Sequence, residues 1–298
     1  MSGGGVPGDS MPGASVPEVS RTGAATRFTL GPALLFCPAD RPDRYPLALE
    51  RADAVIIDLE DAVAPLNRTA ARAALIEHPQ DPERTIVRVN AVSTPDHALD
   101  LVALAKTDYR MIMVPKAESA ASLAGLGTFA IVALCESATG ILAAAEIAAV
   151  DAVVALMWGA EDLIASLGGT SSRRPDGSYR EVALHARSQV LLAAGAHGKP
   201  AIDTVHLDID DLAGVATEAT DAAASGFGAT ACIHPSQVEP IRRAYRPTEA
   251  EIAEATDILR AASTQPGVFT FNARMIDAPV LRHAEAVVRR AGRTFPTE

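Results

Sequence analysis

Ala130-Ile131-Val132-Ala133-Leu134-Cys135-Glu136 and, a little further on, Ala152-Val153-Val154-Ala155-Leu156-Met157-Trp158-Gly159-Ala160-Glu161-Asp162 decide how this chain folds. Each is a short, β-branched apolar run without alternation, as a strand buried on both faces reads. Between them, residues 137–150 are alanine-rich with helical spacing, giving one βαβ unit with acids at both strand exits. Neighbouring parallel strands lie about 4.8 Å apart, so carboxylates leaving adjacent strand tips converge on one hard cation or repel each other. Glu136 and Asp162 are therefore read as ligands of Mg²⁺. The competing reading is that acids after strands are helix caps or solvated loop residues.

The same arrangement recurs along the chain, at 33–37, 54–58, 85–89, 111–114, 131–135, 153–157, 201–205 and 230–233. Eight apolar runs alternating with helical stretches predict a (β/α)₈ TIM barrel. A doubly wound sheet would usually carry a Gly-rich phosphate loop after its first strand, whereas here the first run leads into Pro38-Ala39-Asp40-Arg41-Pro42. The longest interval, between the sixth and seventh runs, carries Gly168 to Gly177 before a helix predicted at 179–196, and falls where a barrel builds its active-site rim. Past His234 the sequence predicts a helix at 248–262, a turn-rich link at 265–272 and a last helix at 279–291. The expected division is a disordered Gly/Pro/Ser-rich tail at 1–26, the barrel at 27–245, and a C-terminal helical arm or lid at 246–298.

With 298 residues, 48% of them hydrophobic, the chain can bury a large core. No apolar run approaches the length of a membrane span. A net charge of −11 argues against a nucleic-acid surface, though a local basic pocket can still hold an anion. Cys37, Cys135 and Cys232 sit in apolar runs without metal-ligand spacing, which suggests reduced core residues of a cytoplasmic protein.

In a barrel the C-terminal strand ends share one mouth, and the polar residues there are Asp58, Glu60, Asp61, Arg88, Asn90, Lys116, Glu136, Asp162, Asp203 and His234. Arg88 lies between Val87 and Val89, and a buried arginine needs a partner; Glu60 or a substrate carboxylate would serve. Lys116 reads as an ion-paired neighbour of the acids, His234 as a cap, and Asp58 and Asp203 as structural acids. Arg173-Arg174, beside glycine and serine in the rim loop, are candidates for the phosphates of a ligand, or else face solvent. Asp277, just before Pro279, would lie at the start of the final helix, where backbone N–H groups hold a carboxylate.

Leu59-Glu60-Asp61-Ala62-Val63, Arg88-Val89-Asn90, Val114-Pro115-Lys116, Leu134-Cys135-Glu136, Trp158 to Asp162, Ile233-His234-Pro235-Ser236-Gln237 and Met275-Ile276-Asp277-Ala278-Pro279 occur in one order along the chain. In these motifs, spread over residues 30–291, the sequence resembles the citrate lyase beta-subunit-like acyl-CoA lyases of the aldolase and citrate lyase family. A basic position after LEDAV, commonly lysine in that family, is Arg68 here. The resemblance implies a homotrimeric TIM barrel with Mg²⁺ on Glu136 and Asp162. It also implies a substrate carboxylate on Arg88 and an acid–base Asp277 supplied by a neighbouring subunit. The implied reaction is reversible cleavage of a 3-hydroxyacyl-CoA (malyl-, citramalyl- or 3-hydroxy-3-methylglutaryl-CoA) to acetyl-CoA or propionyl-CoA and an oxo acid. Two other readings remain: a divalent-metal aldolase that uses no CoA, and a citrate-lyase-type subunit that needs an acyl-carrier partner.

Overall fold

The computed structural model of the chain describes residues 28–265 and 267–292, together with Met1. The tail expected at 1–26 lies, Met1 apart, outside the described residues. All eight apolar runs are strands: β1 (Ala33–Pro38), β2 (Ala54–Asp58), β3 (Thr85–Arg88), β4 (Met111–Val114), β5 (Ala130–Cys135), β6 (Val153–Trp158), β7 (Ala201–Asp203) and β8 (Ala229–Cys232). Each pairs in parallel with the next, and β8 returns to β1 with Ala231 opposite Leu34, so the sheet closes into a barrel with the helices around it.

Side chains alternate along each strand between the lumen and the helix layer. Leu34, Ile56, Ile86, Val132 and Leu134 belong to the cluster the strands enclose, whereas Leu35, Val55, Ile57, Val87 and Ile131 pack under the helices. Both rows are apolar, which is why the sequence shows continuous runs. Each such leucine or isoleucine contributes about 1.5–3 kcal/mol by leaving water.

Two stretches fold differently from expectation. Residues 137–150 form two short helices, Ala138–Leu142 and Ala144–Ala148, the first capped by Ser137. The expected link at 265–272 runs instead into a hairpin of β9 (Phe269–Phe271) and β10 (Arg274–Ile276), turned by Asn272 and Ala273 at φ 48° and 59°. Two central residues with positive φ match the twist of a two-residue hairpin turn, and alanine in the second place hid the signal that Asn-Gly gives. The hairpin joins the helices Glu249–Thr264 and Ala278–Arg290, and Ile258, Leu259, Ile276, Ala284 and Val288 form an apolar cluster separate from those of the barrel. A hydrogen bond from Arg290 Nη2 to the Ala223 carbonyl ties the last helix to the barrel's helix Leu212–Ser225.

Candidate metal and substrate site

Strand parity decides which exit side chains meet. Asp58, Arg88 and Glu136 continue the lumen rows of Ile56, Ile86 and Leu134, so they crown the inside of the barrel. Asp203 follows Ile202, a lumen residue, and so points outward, where it accepts from Trp158 Nε1 at 2.6 Å and from Arg187 at 2.9 Å. It is thereby removed from the mouth. His234 turns back on its own chain, accepting the Ser236 amide to cap Pro235–Gln237.

Arg88 is buried among acids. Nε and Nη2 bond Asp58 at 2.7 and 2.5 Å, while Nη1 lies 2.9 Å from Glu60 Oε2. That last approach is an ion pair without hydrogen-bond alignment, and Oε2 is buried with no hydrogen-bond partner. Burial works to lower Arg88, but the two acids hold it above the ordinary arginine range. Asp58 also accepts the amides of Glu60 and Ala62, which fixes the turn after β2. Glu60 is lifted by burial in spite of Arg88 and Lys116.

Glu136 is 3% exposed and held at both oxygens: Oε1 accepts the Lys116 amide at 3.0 Å, and Oε2 lies against Gly159. A Cβ on Gly159 would come within 2.8 Å of both Glu136 Cβ and Oε2, so only glycine leaves the carboxylate its place. Burial, with Asp162 next in weight, pushes the Glu136 carboxyl up to about 8. Asp162 stands in the first turn of the helix Ala160–Ser166 with its side chain 43% exposed. Lys116 Nζ lies 3.8 Å from an oxygen of each of these acids.

The donor chemistry fits magnesium. Among the described residues no group of three or more His, Cys, Asp or Glu could hold a metal, and Mg²⁺ is commonly held by one or two carboxylates while water and substrate complete its octahedron. Both carboxylates are hard oxygen donors at adjacent strand ends, and Glu136, raised by burial and then by the charge of Asp162, gains from a cation between them.

The remaining predicted residues lie apart. Arg173 bonds Glu218, donates to the Tyr179 hydroxyl and stacks 4.0 Å over that ring. Arg174 bonds the Tyr179 carbonyl and Glu181. The rim loop and the β7 exit enclose a cavity of about 770 Å³ in which Asp176, Asp208, Asp211 and Glu218 are among several acids that outnumber Arg173 and Arg187. Asp277 caps the last helix by accepting the Val280 amide at 3.3 Å, and among the described residues no hydrogen bond or ion pair links it to Arg88, Glu136 or Asp162. Arg68 pairs with Asp96 at 2.6 Å. Lys116 is the ion-paired neighbour of the acids that the sequence suggested, whereas no role for Gly159 was legible, because a glycine's value lies in what touches it.

Residues 33–235 match the HpcH/HpaI aldolase/citrate lyase family. The chain belongs to that family. The aldolase/citrate lyase family is one of lyases, and its matched span holds Glu60, Arg88, Lys116, Glu136 and Asp162 but ends before Asp277. The chain is 56% identical over 262 residues to a citrate lyase subunit beta-like protein of Mycobacterium tuberculosis, covering 88% of this chain and 96% of that one. Among solved structures it is similar to protein CitE from M. tuberculosis in complex with magnesium, acetoacetate and coenzyme A. That likeness has a TM-score of 0.86 and 56% identity and covers 89% of this chain and 99% of that one. A citrate lyase beta subunit from the same organism, complexed with oxaloacetate and magnesium, gives a TM-score of 0.72 and 59% identity over 73% of this chain and 98% of that one.

Proposed function

We propose that this chain is a Mg²⁺-dependent carbon–carbon lyase that reversibly cleaves a 3-hydroxyacyl-CoA to acetyl-CoA or propionyl-CoA and an oxo acid. Malyl-, citramalyl- and 3-hydroxy-3-methylglutaryl-CoA are the thioesters of that class. The observation that carries the reading is the convergence of Glu136 and Asp162, both within 3.8 Å of one lysine nitrogen, beside the buried guanidinium of Arg88. The magnesium, oxo acids and coenzyme A held by the similar M. tuberculosis proteins support it.

Magnesium on Glu136 and Asp162 would supply Lewis acidity toward the oxygens of the oxo-acid half. Arg88 neutralises and orients that half. Its Nε–Nη2 edge is spent on Asp58, so the edge that includes Nη1 faces the substrate carboxylate. The hydroxyl oxygen gives up its proton to solvent water and becomes the carbonyl oxygen as the carbon–carbon bond breaks. The electron pair of that bond passes to the carbon beside the thioester, which then takes a proton. We assign that proton to Asp277, offered by a neighbouring subunit of a homotrimer. Its position as a helix cap on an arm with an apolar cluster of its own supports the assignment. For CoA phosphates, Arg174 is the more available of the rim pair, since its partner Glu181 is 85% exposed, whereas Arg173 would first release Glu218. Three unpaired, buried cysteines support a cytoplasmic location; among the described residues no helix is long and apolar enough to cross a membrane.

A panel of CoA thioesters assayed with and without Mg²⁺ tests the reading. Cleavage of at least one, lost on chelation, is expected. Turnover of free oxo acids and aldehydes alone would favour a CoA-independent aldolase, and turnover only of carrier-bound acyl groups would favour a citrate-lyase-type subunit.

A further inference from the structure

Lys116 sits on the rim between β4 and β5 with its backbone at φ 50°, a left-handed conformation that costs a lysine energy. Two hydrogen bonds hold that backbone over the end of β5: the Lys116 amide donates to Glu136 Oε1 at 3.0 Å, and the Ala117 amide donates to the Leu134 carbonyl at 3.0 Å. From there the side chain reaches into a ring of four carboxylates. Nζ is 2.6 Å from Glu60 Oε1, 3.6 Å from Asp61 Oδ2, and 3.8 Å from both Glu136 Oε1 and Asp162 Oδ1. Of these four acids Glu60 also pairs with Arg88, and the Glu60 contact of Lys116 is a hydrogen bond.

We propose that Lys116 is a positioning residue that acts as a tethered counter-cation and sets the affinity of this site for Mg²⁺; the inference rests on Glu136 and Asp162 being the metal ligands. A magnesium ion held by oxygens of both acids would lie close to Nζ, so ion and ammonium would compete for the same charge. The side chain is 38% exposed on a flexible four-carbon stem, and its shortest contacts are with Glu60 and Asp61 rather than with the two proposed ligands. Metal entry would therefore leave Lys116 on Glu60, whose other oxygen faces Arg88, and so couple ion binding to the guanidinium proposed to hold the oxo acid. Before entry, the same ammonium offsets the charge of the acids around it.

The test is calorimetric titration of the full-length protein with MgCl₂, beside its melting temperature in chelator. Lys116→Met should melt lower without metal and bind Mg²⁺ about tenfold tighter, roughly 1.4 kcal/mol. Lys116→Arg should return both values toward wild type. Lys116→Asn, which removes the charge and tolerates left-handed backbone, serves if the methionine variant does not fold, and should act like it. Unchanged or weaker Mg²⁺ binding in both neutral variants, while Glu136→Gln abolishes binding, overturns this inference and leaves the metal site standing. Binding that survives in Glu136→Gln and Asp162→Asn overturns the metal site and the inference together.

Discussion

Asp58 and Arg88 face each other across β2 and β3 in direct register, and two hydrogen bonds of 2.7 and 2.5 Å join carboxylate to guanidinium edge to edge. The pair fixes which face of the arginine remains for substrate. Lysine cannot hold Asp58 at two points and also face Glu60, so Arg88→Lys should lose about 100-fold or more in kcat through misplacement of the oxo acid. Arg88→Ala leaves buried acids unpaired and should destabilise by about 3–5 kcal/mol, read from denaturant unfolding. A fully active lysine variant would show that a point charge suffices.

Glu136→Gln and Asp162→Asn each halve the charge of the proposed metal ligand set without changing volume. Mg²⁺ affinity should fall by more than the roughly 100-fold that loss of a partner behind a ligand costs, and turnover should drop to background. Circular dichroism should show the fold intact. Wild-type activity in both variants would place the metal elsewhere.

Gly159 has φ −122° and ψ 122°, which alanine adopts freely, so Gly159→Ala acts through contact alone. The new methyl would press on Glu136 at 2.8 Å, costing about 1–3 kcal/mol in stability and displacing the carboxylate. Titration should show Mg²⁺ binding weakened at least about tenfold, in line with the geometric precision a magnesium site demands. Unaltered affinity would mean that Glu136 has room to move.

Glu136 also gives the protein a pH signature. Its carboxyl rises from an ordinary 4.5 to about 8 in the fold, through burial first and Asp162 second. A raised folded value means that the group's contribution is complete below about 4.5 and is lost as pH climbs through about 8. In chelator, stability should fall by up to about 1.4 kcal/mol per pH unit across that window. Melting curves between about pH 5 and pH 8.5 should show this slope, and Mg²⁺ or Glu136→Gln should flatten it. A flat wild-type profile in chelator would show that the acid is already ionised.

Mixed oligomers of inactive Asp277→Asn and inactive Glu136→Gln chains should recover part of the wild-type rate, because some mouths receive both intact residues. No recovery in mixed oligomers verified by mass would assign Asp277 to its own barrel or to capping alone.

The barrel was legible because its strands are apolar on both faces: β2 and β4 begin and end where the runs at 54–58 and 111–114 do. The hairpin was hidden because its strands are three residues each and Ala273 stands where glycine would announce the turn. In the site, single residues could be read but not their pairings. Arg88 was recognisable as a buried charge in need of a partner, yet choosing Asp58 for its fork depends on the register of β2 against β3. Asp203 could be read as a structural acid, but its partners, Trp158 and Arg187, follow only from strand parity.

That parity also governs which accidents of inheritance the barrel can survive. A substitution at the mouth removes one group, but the loss of a single residue from β3 ahead of Arg88 would exchange its inner and outer rows. The guanidinium would then face the helices, and a valine would face Asp58. Insertions and deletions in this chain should therefore be confined to the loops beyond the strand ends, where length can drift without turning a side chain around.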